Sequence, residues 1–134
     1  MKTEVNGRIL ISTGTPWEDI IGYSRAVCVG NTIAVTGTAA MDGNKVVAPG
    51  SAAEQTRFIL EKIRKALLET GADLKDVIRT RIYVTDMSKW EEIGKVHGEF
   101  FRDIRPATTM VEVKSLIRPE FLVEIEADAI VDVN

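Results

Sequence analysis

The sequence predicts an α+β fold in which two helices pack on one face of a β-sheet, and three observations predict it. Two stretches carry apolar residues at helical spacing behind Ser-x-x-Glu capping signals. The other apolar runs are short, several alternate with a period of two, and turn residues bound them. In the second half of the chain helices alternate with strands, which a sheet buried on one face beneath both helices explains most simply.

Arg8 to Thr13 (RILIST) reads as the first strand, and Gly14 to Tyr23, with Pro16 and Trp17, has neither period and reads as an ordered loop. Arg25 to Val29 and Thr32 to Thr36 flank a Gly30-Asn31 turn and form a predicted β-hairpin that Gly37 ends. Asp42-Gly43-Asn44 is a second turn, and Lys45 to Val47 reads as a short edge strand. From Ser51 the period changes. Ser51 with Glu54 is a capping box, Phe58, Ile59, Ile63, Leu67 and Leu68 make an apolar stripe, and Gly71 stops the helix. Ile78 to Thr85 alternates as a strand. Ser88 with Glu91 repeats the capping box ahead of Trp90, Ile93, Val96, Phe100 and Phe101, and this helix must end before Pro106. Ala107 to Val113 and Leu122 to Val131 are the last strands, for an order βββ(β)αβαββ.

At 134 residues, 45% hydrophobic and 28% charged, residues 1–134 are read as one domain that needs neither disulfides nor a structural metal. Cys28 and His97 are the only cysteine and histidine, which leaves no disulfide framework and no zinc-type cluster. No apolar leader stands at Met1 to Arg8, and no stretch has the ~18 apolar residues of a membrane span. The expectation is a cytoplasmic protein in a reducing compartment. A net charge of -3 argues against nucleic-acid binding, which needs clustered Lys and Arg.

In the last strand Val123, Ile125, Ala127, Ala129 and Val131 point under the helices, leaving Leu122, Glu124, Glu126, Asp128 and Ile130 on the other face. By the same reasoning Thr109, Val111 and Val113 face the helices, while Thr108, Met110 and Glu112 join Arg79, Arg81 and Tyr83 opposite. The bland reading of this second face is a solvated surface with cross-strand ion pairs. Its mixture of Arg, Tyr, Met and carboxylates fits an interface better, so oligomerisation through it is expected. A metal there is not expected, because the arginines compete for the carboxylates and no histidine joins them.

Gly22-Tyr23-Ser24-Arg25-Ala26-Val27, Val35-Thr36-Gly37-Thr38, Ile82-Tyr83-Val84-Thr85-Asp86, Phe100-Phe101 before Arg105-Pro106-Ala107, and Val111-Glu112-Val113 with Val123-Glu124-Ile125-Glu126-Ala127 give the chain a further character. In order and spacing it resembles the RidA/YjgF family, also called the L-PSP endoribonuclease family, over nearly its whole length. The resemblance implies a chorismate-mutase-like fold, with a mixed six-stranded sheet and two helices on one face. It also implies a homotrimer whose sheets form a central barrel with ligand clefts between subunits. RidA members hydrolyse reactive enamines and imines such as 2-aminoacrylate to a 2-keto acid and ammonia, without a cofactor. A Pro-Ala-Arg-Ser/Thr arginine there binds the substrate carboxylate.

Carried over by the resemblance, Glu124 is the water-orienting catalytic residue, and Tyr23 with Gly37 lines the pocket. The arginine is absent: the chain reads Pro106-Ala107-Thr108-Thr109. A threonine hydroxyl replaces a bidentate, charge-assisted contact with one weaker donor, so ordinary imino-acid deamination should suffer. Arg81 or Arg105 would supply the missing guanidinium; for Arg81 the competing reading is an ion pair with Glu112, Glu124 or Glu126. Otherwise Thr108, Thr109 and Met110 line a more neutral pocket for a carbonyl, imine or aromatic compound. Alternatives to a deaminase are a non-catalytic trimer binding a small metabolite or a protein, and the endoribonuclease or translation inhibitor of the family's older label. His97 reads as a helix-surface or interface residue, Cys28 as a buried small hydrophobe, Trp90 as helix packing and Trp17 as a lid on the cleft.

Overall fold

Asn6 and Gly7, with φ of 52° and 77°, turn the chain back on itself, so that β1 (Lys2–Val5) pairs antiparallel with β2 (Arg8–Ile11). The computed structural model describes residues 1–132. Sequence periodicity misses β1 because all its residues are exposed and no apolar alternation marks them. The Asn-Gly dipeptide, the commonest type I′ hairpin turn, was the available signal. The expected loop at 14–23 contains a helix, α1 (Pro16–Ile21). Pro16 occupies the first helical turn, the Glu18 carboxylate returns to the Thr15 N–H at 3.4 Å, and Gly22 closes the helix in the left-handed region at φ 87°.

The hairpin of β3 (Ala26–Val29) and β4 (Thr32–Ala39) forms as expected, except that β4 runs on past Gly37, with a register shift between Val35 and Thr38. Met41–Asp42 (β5) and Lys45–Val46 (β6) make a separate two-stranded ribbon, where an edge strand of the main sheet was expected. Ser51 caps α2 (Ala52–Glu69), accepting the Glu54 N–H at 3.2 Å. Ile59, Leu60, Ile63 and Leu67 are buried, whereas Leu68, assigned to the stripe, is 51% exposed. After β7 (Val77–Val84) it is Asp86 that caps the turn into α3 (Trp90–Phe101), accepting the Ser88 N–H at 3.0 Å. The expected Ser88 box is therefore displaced by a better acceptor two residues earlier. Ile93, Val96 and Phe101 enter the core, but Trp90 stays 57% exposed.

With β8 (Ala107–Glu112) and β9 (Val123–Ile130) the main sheet has seven strands among the described residues, one more than expected, in the order β1-β2-β3-β4-β9-β7-β8. Only β7 and β8 run parallel. Ile11, Ile33, Ile82, Val84, Val123 and Ile125 of the sheet are buried in one cluster with Ile59, Leu60 and Ile63 of α2, and Cys28 packs there as a small hydrophobe. β9 faces as expected, Val123, Ile125, Ala127 and Ala129 buried and Glu124, Glu126 and Asp128 opposite.

The facing of β8 is the reverse of that expected. Its register sets Thr108 beside Thr80, Met110 beside Ile82 and Glu112 beside Val84, the inward residues of β7, so Thr109 and Val111 take the open face with Arg81 and Tyr83. Val111 is 41% exposed, and Met110 packs against the core. Gln55 of α2 is fully buried and ties the helix to the segment before β9: its Nε2 donates to Glu120 O and its Oε1 accepts from Leu122 N, both at 2.9 Å. Among the described residues no helix is long and apolar enough to cross a membrane.

Candidate functional site

Arg25, one residue before β3, is 3% exposed and organises the base of a cavity. Its Nη1 donates to Gly37 O at 3.0 Å and to Thr38 Oγ1 at 3.2 Å, pinning the irregular stretch of β4. Its Nη2 stands 3.9 Å from Glu18 Oε2, its Cζ lies 5.9 Å from the centroid of the Tyr23 ring, and its buried Nε has no partner. The Arg25–Glu18 contact is long, and other groups hold Glu18. Burial pushes that carboxyl upward, but hydrogen bonds from Ser12, Thr13 and Thr15 outweigh it and leave its pKa below the usual carboxylate value.

Gly37 is needed for a reason other than backbone conformation. A Cβ there would overlap Glu124 Oε2 and stand 3.1 Å from its Cδ, so the missing side chain is the seat of the Glu124 carboxylate. Burial raises the Glu124 pKa, Arg25 opposes the rise and Glu126 adds to it. From α2, Lys62 donates to Met41 O at 3.1 Å; burial lowers its pKa and the nearby Arg25 lowers it further. Trp17 and Ile21 of α1, with Leu116 and Ile117 of the β8–β9 segment, wall a space of about 380 Å³. Trp17 thus lines the cavity and meets Phe121 edge to face at 6.4 Å. A carboxylate poised to take up a proton, two cations and an apolar wall suit acid–base chemistry on a small polar molecule.

Of the residues assigned to the site from sequence, Glu124, Tyr23 and Gly37 meet in this cavity. Thr108, Thr109, Met110 and Arg81 lie elsewhere in the chain. Thr108 hydrogen-bonds Thr80 on the helix side, Met110 packs inward and Thr109 is on the open face. Arg81 does not share a face with Thr108; it pairs with Glu126 at 3.5 Å and Asp128 at 3.2 Å. Tyr83 also donates to Glu126, at 2.7 Å. Sequence reasoning missed Arg25 and Lys62 as site residues. An arginine at the head of the Ala26-Val27-Cys28 run, where the first strand residue is buried, was the one hint. Among the described residues no three His, Cys, Asp or Glu side chains are grouped to hold a metal ion.

Comparison with known proteins bears on what such a cavity belongs to. A family model described as Endoribonuclease L-PSP matches residues 14–131. The 3-aminoacrylate deaminase RutC of Acinetobacter baylyi is 37% identical over 122 residues, 90% of this chain and 95% of that protein. A RutC family protein of Pyrococcus abyssi is 36% identical over 108 residues, 80% of this chain and 84% of its own. The crystal structure of a Mycobacterium tuberculosis member of the YjgF/YER057c/UK114 family superposes with a TM-score of 0.85 at 50% identity, covering 92% of this chain and 99% of that one. With the mixed sheet and three helices matching those structures and the family model spanning Tyr23, Gly37 and Glu124, the chain belongs to the Endoribonuclease L-PSP family, the RidA/YjgF group.

Proposed function

We propose that the chain hydrolyses the C=N bond of a small imine, or of the imine to which an enamine tautomerises by taking a proton at carbon and losing one from nitrogen, and releases ammonia, with Glu124 as the catalytic carboxylate. The observation that carries this reading is Glu124 itself, half-buried against Gly37 with its pKa raised toward the range a neutral-pH base needs. As a carboxylate it takes a proton from water as the oxygen attacks the imine carbon. It then gives that proton to nitrogen, forming a carbinolamine; the carboxylate next carries the hydroxyl proton to the amino nitrogen as the C–N bond breaks, so that ammonia leaves and a carbonyl remains. Tyr23 and Gly37 shape the pocket. Arg25 and Lys62 stand in for the arginine lost at Thr108 in offsetting a substrate carboxylate. The deaminase activity in the name of the Acinetobacter baylyi relative supports the same class of reaction. RNA cleavage is the weaker reading for a chain with a net charge of -3.

Glu124→Gln tests it. Ammonia release from freshly generated 2-aminoacrylate or 3-aminoacrylate should fall by about 10²- to 10⁴-fold, the usual worth of one positioned acid–base group. Equal rates for the two proteins would remove Glu124 from the chemistry. Stability supplies a second readout with a defined sign. Because folding raises the Glu124 pKa, the charged form costs stability above the folded pKa, and the cost fades as pH falls through the ordinary glutamate range. The glutamine variant should therefore be more stable than the parent at neutral pH and lose that advantage in acid.

Assembly through the open sheet face, as a homotrimer, belongs to the same proposal. Val29, Val111 and Ile130 expose 49%, 41% and 42% of their surface on that face, beside Tyr83 and the Arg81 ion pairs. Light scattering should give three times the 14.8 kDa of one chain at micromolar concentration, and Val111→Lys should reduce it to one. A parent protein that scatters as a single chain would end this part of the proposal.

A further inference from the structure

Lys62 and Lys89 alone among the lysines are partly buried, and Lys89 pairs with Glu92 at 3.9 Å. Lys62 has no such partner among the described residues. Its nitrogen donates to Met41 O at 3.1 Å, and two of the three hydrogens of the ammonium find no acceptor among the described residues. Helix α2 carries this side chain to the cavity that also holds Glu124, where the lining includes a second cation, Arg25, and the apolar Trp17, Ile21, Leu116 and Ile117. Glu18 and Asp42 attract the charge, but burial and Arg25 outweigh them and hold the lysine below its ordinary pKa.

Such a setting disfavours an ammonium and favours an amine. Lysines that attack carbonyl groups are activated in this way, out of water or beside another cation, because only the neutral nitrogen has a lone pair to give. A clamp on the β5–β6 ribbon through Met41 O is the structural role open to Lys62. An uncharged donor of the same reach would serve that role, so the clamp gives no reason to set an ammonium beside a guanidinium. The cavity, of about 380 Å³, leaves room at the nitrogen for a molecule of a few carbon atoms, and its apolar wall suits an alkyl substituent.

We infer that Lys62 forms a Schiff base with a small aldehyde in this cavity, with Glu124 carrying the protons. The ammonium first gives a proton to the Glu124 carboxylate. The freed lone pair attacks the carbonyl carbon, a C–N bond forms, and the carbonyl oxygen takes the proton back from Glu124. The nitrogen, now positive, returns one proton to the carboxylate and leaves a neutral carbinolamine. Glu124 then protonates the hydroxyl, the C–O bond breaks, water departs and the nitrogen lone pair closes the C=N bond. In sum, an ammonium and an aldehyde become a protonated Schiff base and water, with Glu124 again a carboxylate. Positive charge stands on the Lys62 nitrogen at both ends of this sequence, so its place opposite a substrate carboxylate is kept. The reaction uses the cavity of the proposed hydrolysis but does not depend on that hydrolysis.

The experiment incubates the full chain with propanal at neutral pH and quenches samples with borohydride at successive times. Borohydride reduces the Schiff base to a stable secondary amine and destroys the remaining aldehyde, so peptide mass spectrometry gives the rate of propyl attachment at each lysine. Lys62 should be labelled about 10²-fold faster than Lys95, whose side chain is 75% exposed, the contribution of one positioned acid. Glu124→Gln should remove most of that advantage and leave the Lys95 rate unchanged. At early times the intact parent should carry one propyl group and the Lys62→Arg variant none. Labelling of Lys62 no faster than of Lys95 would overturn the proposal. So would a Glu124→Gln variant that labels at the parent rate, or an early adduct that persists in Lys62→Arg. The readout is a mass on a lysine and not ammonia, so the failure of this reaction and the failure of the deaminase reading are seen separately.

Discussion

Arg25→Leu is expected to lower folding stability by about 3 kcal/mol and to move the acid limb of ammonia release to higher pH. The first effect comes from two hydrogen bonds of a charged donor, to Gly37 O at 3.0 Å and Thr38 Oγ1 at 3.2 Å, each worth about 1.5 to 3 kcal/mol where the acceptor is left without a partner. Leucine recovers some of this through its own burial, which keeps the total near the lower bound. Glu18 contributes less to the loss than a paired carboxylate would, because Ser12, Thr13 and Thr15 still donate to it. The second effect is electrostatic. Arg25 opposes the burial that raises Glu124, so without it the carboxyl titrates higher and the basic form is lost at a higher pH. Denaturant unfolding and a pH–rate profile measure the two. A loss below about 1 kcal/mol would mean that water replaces the guanidinium. An unmoved acid limb would mean that Glu124 does not set it.

Gln55→Leu should cost a similar amount by a different route. The leucine fits an apolar surrounding, but Glu120 O loses its donor and Leu122 N its acceptor, and each orphaned backbone group costs about 1 to 3 kcal/mol. The expected total is about 3 kcal/mol, read as a lowered denaturant midpoint with an unchanged slope. Gln55 also bridges α2 to the residues just after Leu116 and Ile117, so protease cleavage within 114–120 should accelerate as the cavity wall loosens. Wild-type cleavage rates in the variant would show that this wall is held from elsewhere.

The residues differ in how far their roles could be read in advance. Glu124, Tyr23 and Gly37 were assigned together by resemblance, and the structure brings them to one cavity. Arg25, the cation beside them, carries no mark in the sequence that Arg81 and Arg105 lack, because a buried arginine inside an apolar run looks like any strand residue until its acceptors are known. Those acceptors, Gly37 and Thr38, are twelve and thirteen residues away. Thr108 was recognised as the site of a missing arginine but assigned to the wrong face. Its contact with Thr80, and through Thr80 with His97, follows only from the observed facing.

Local chemistry was enough for the two long helices, whose caps and apolar stripes lie within a few residues of one another, and for β9, where strict alternation across a half-buried strand allows a single facing. It could not orient β8. An edge strand is exposed on both sides, so its apolar residues do not mark an inward face. The parallel hydrogen-bond register with β7 alone sets Thr108 against Thr80 and leaves Arg81 on the other side of the sheet. Periodicity reports direction only where burial has already made the two faces unequal, and for β8 that inequality arises from its neighbour.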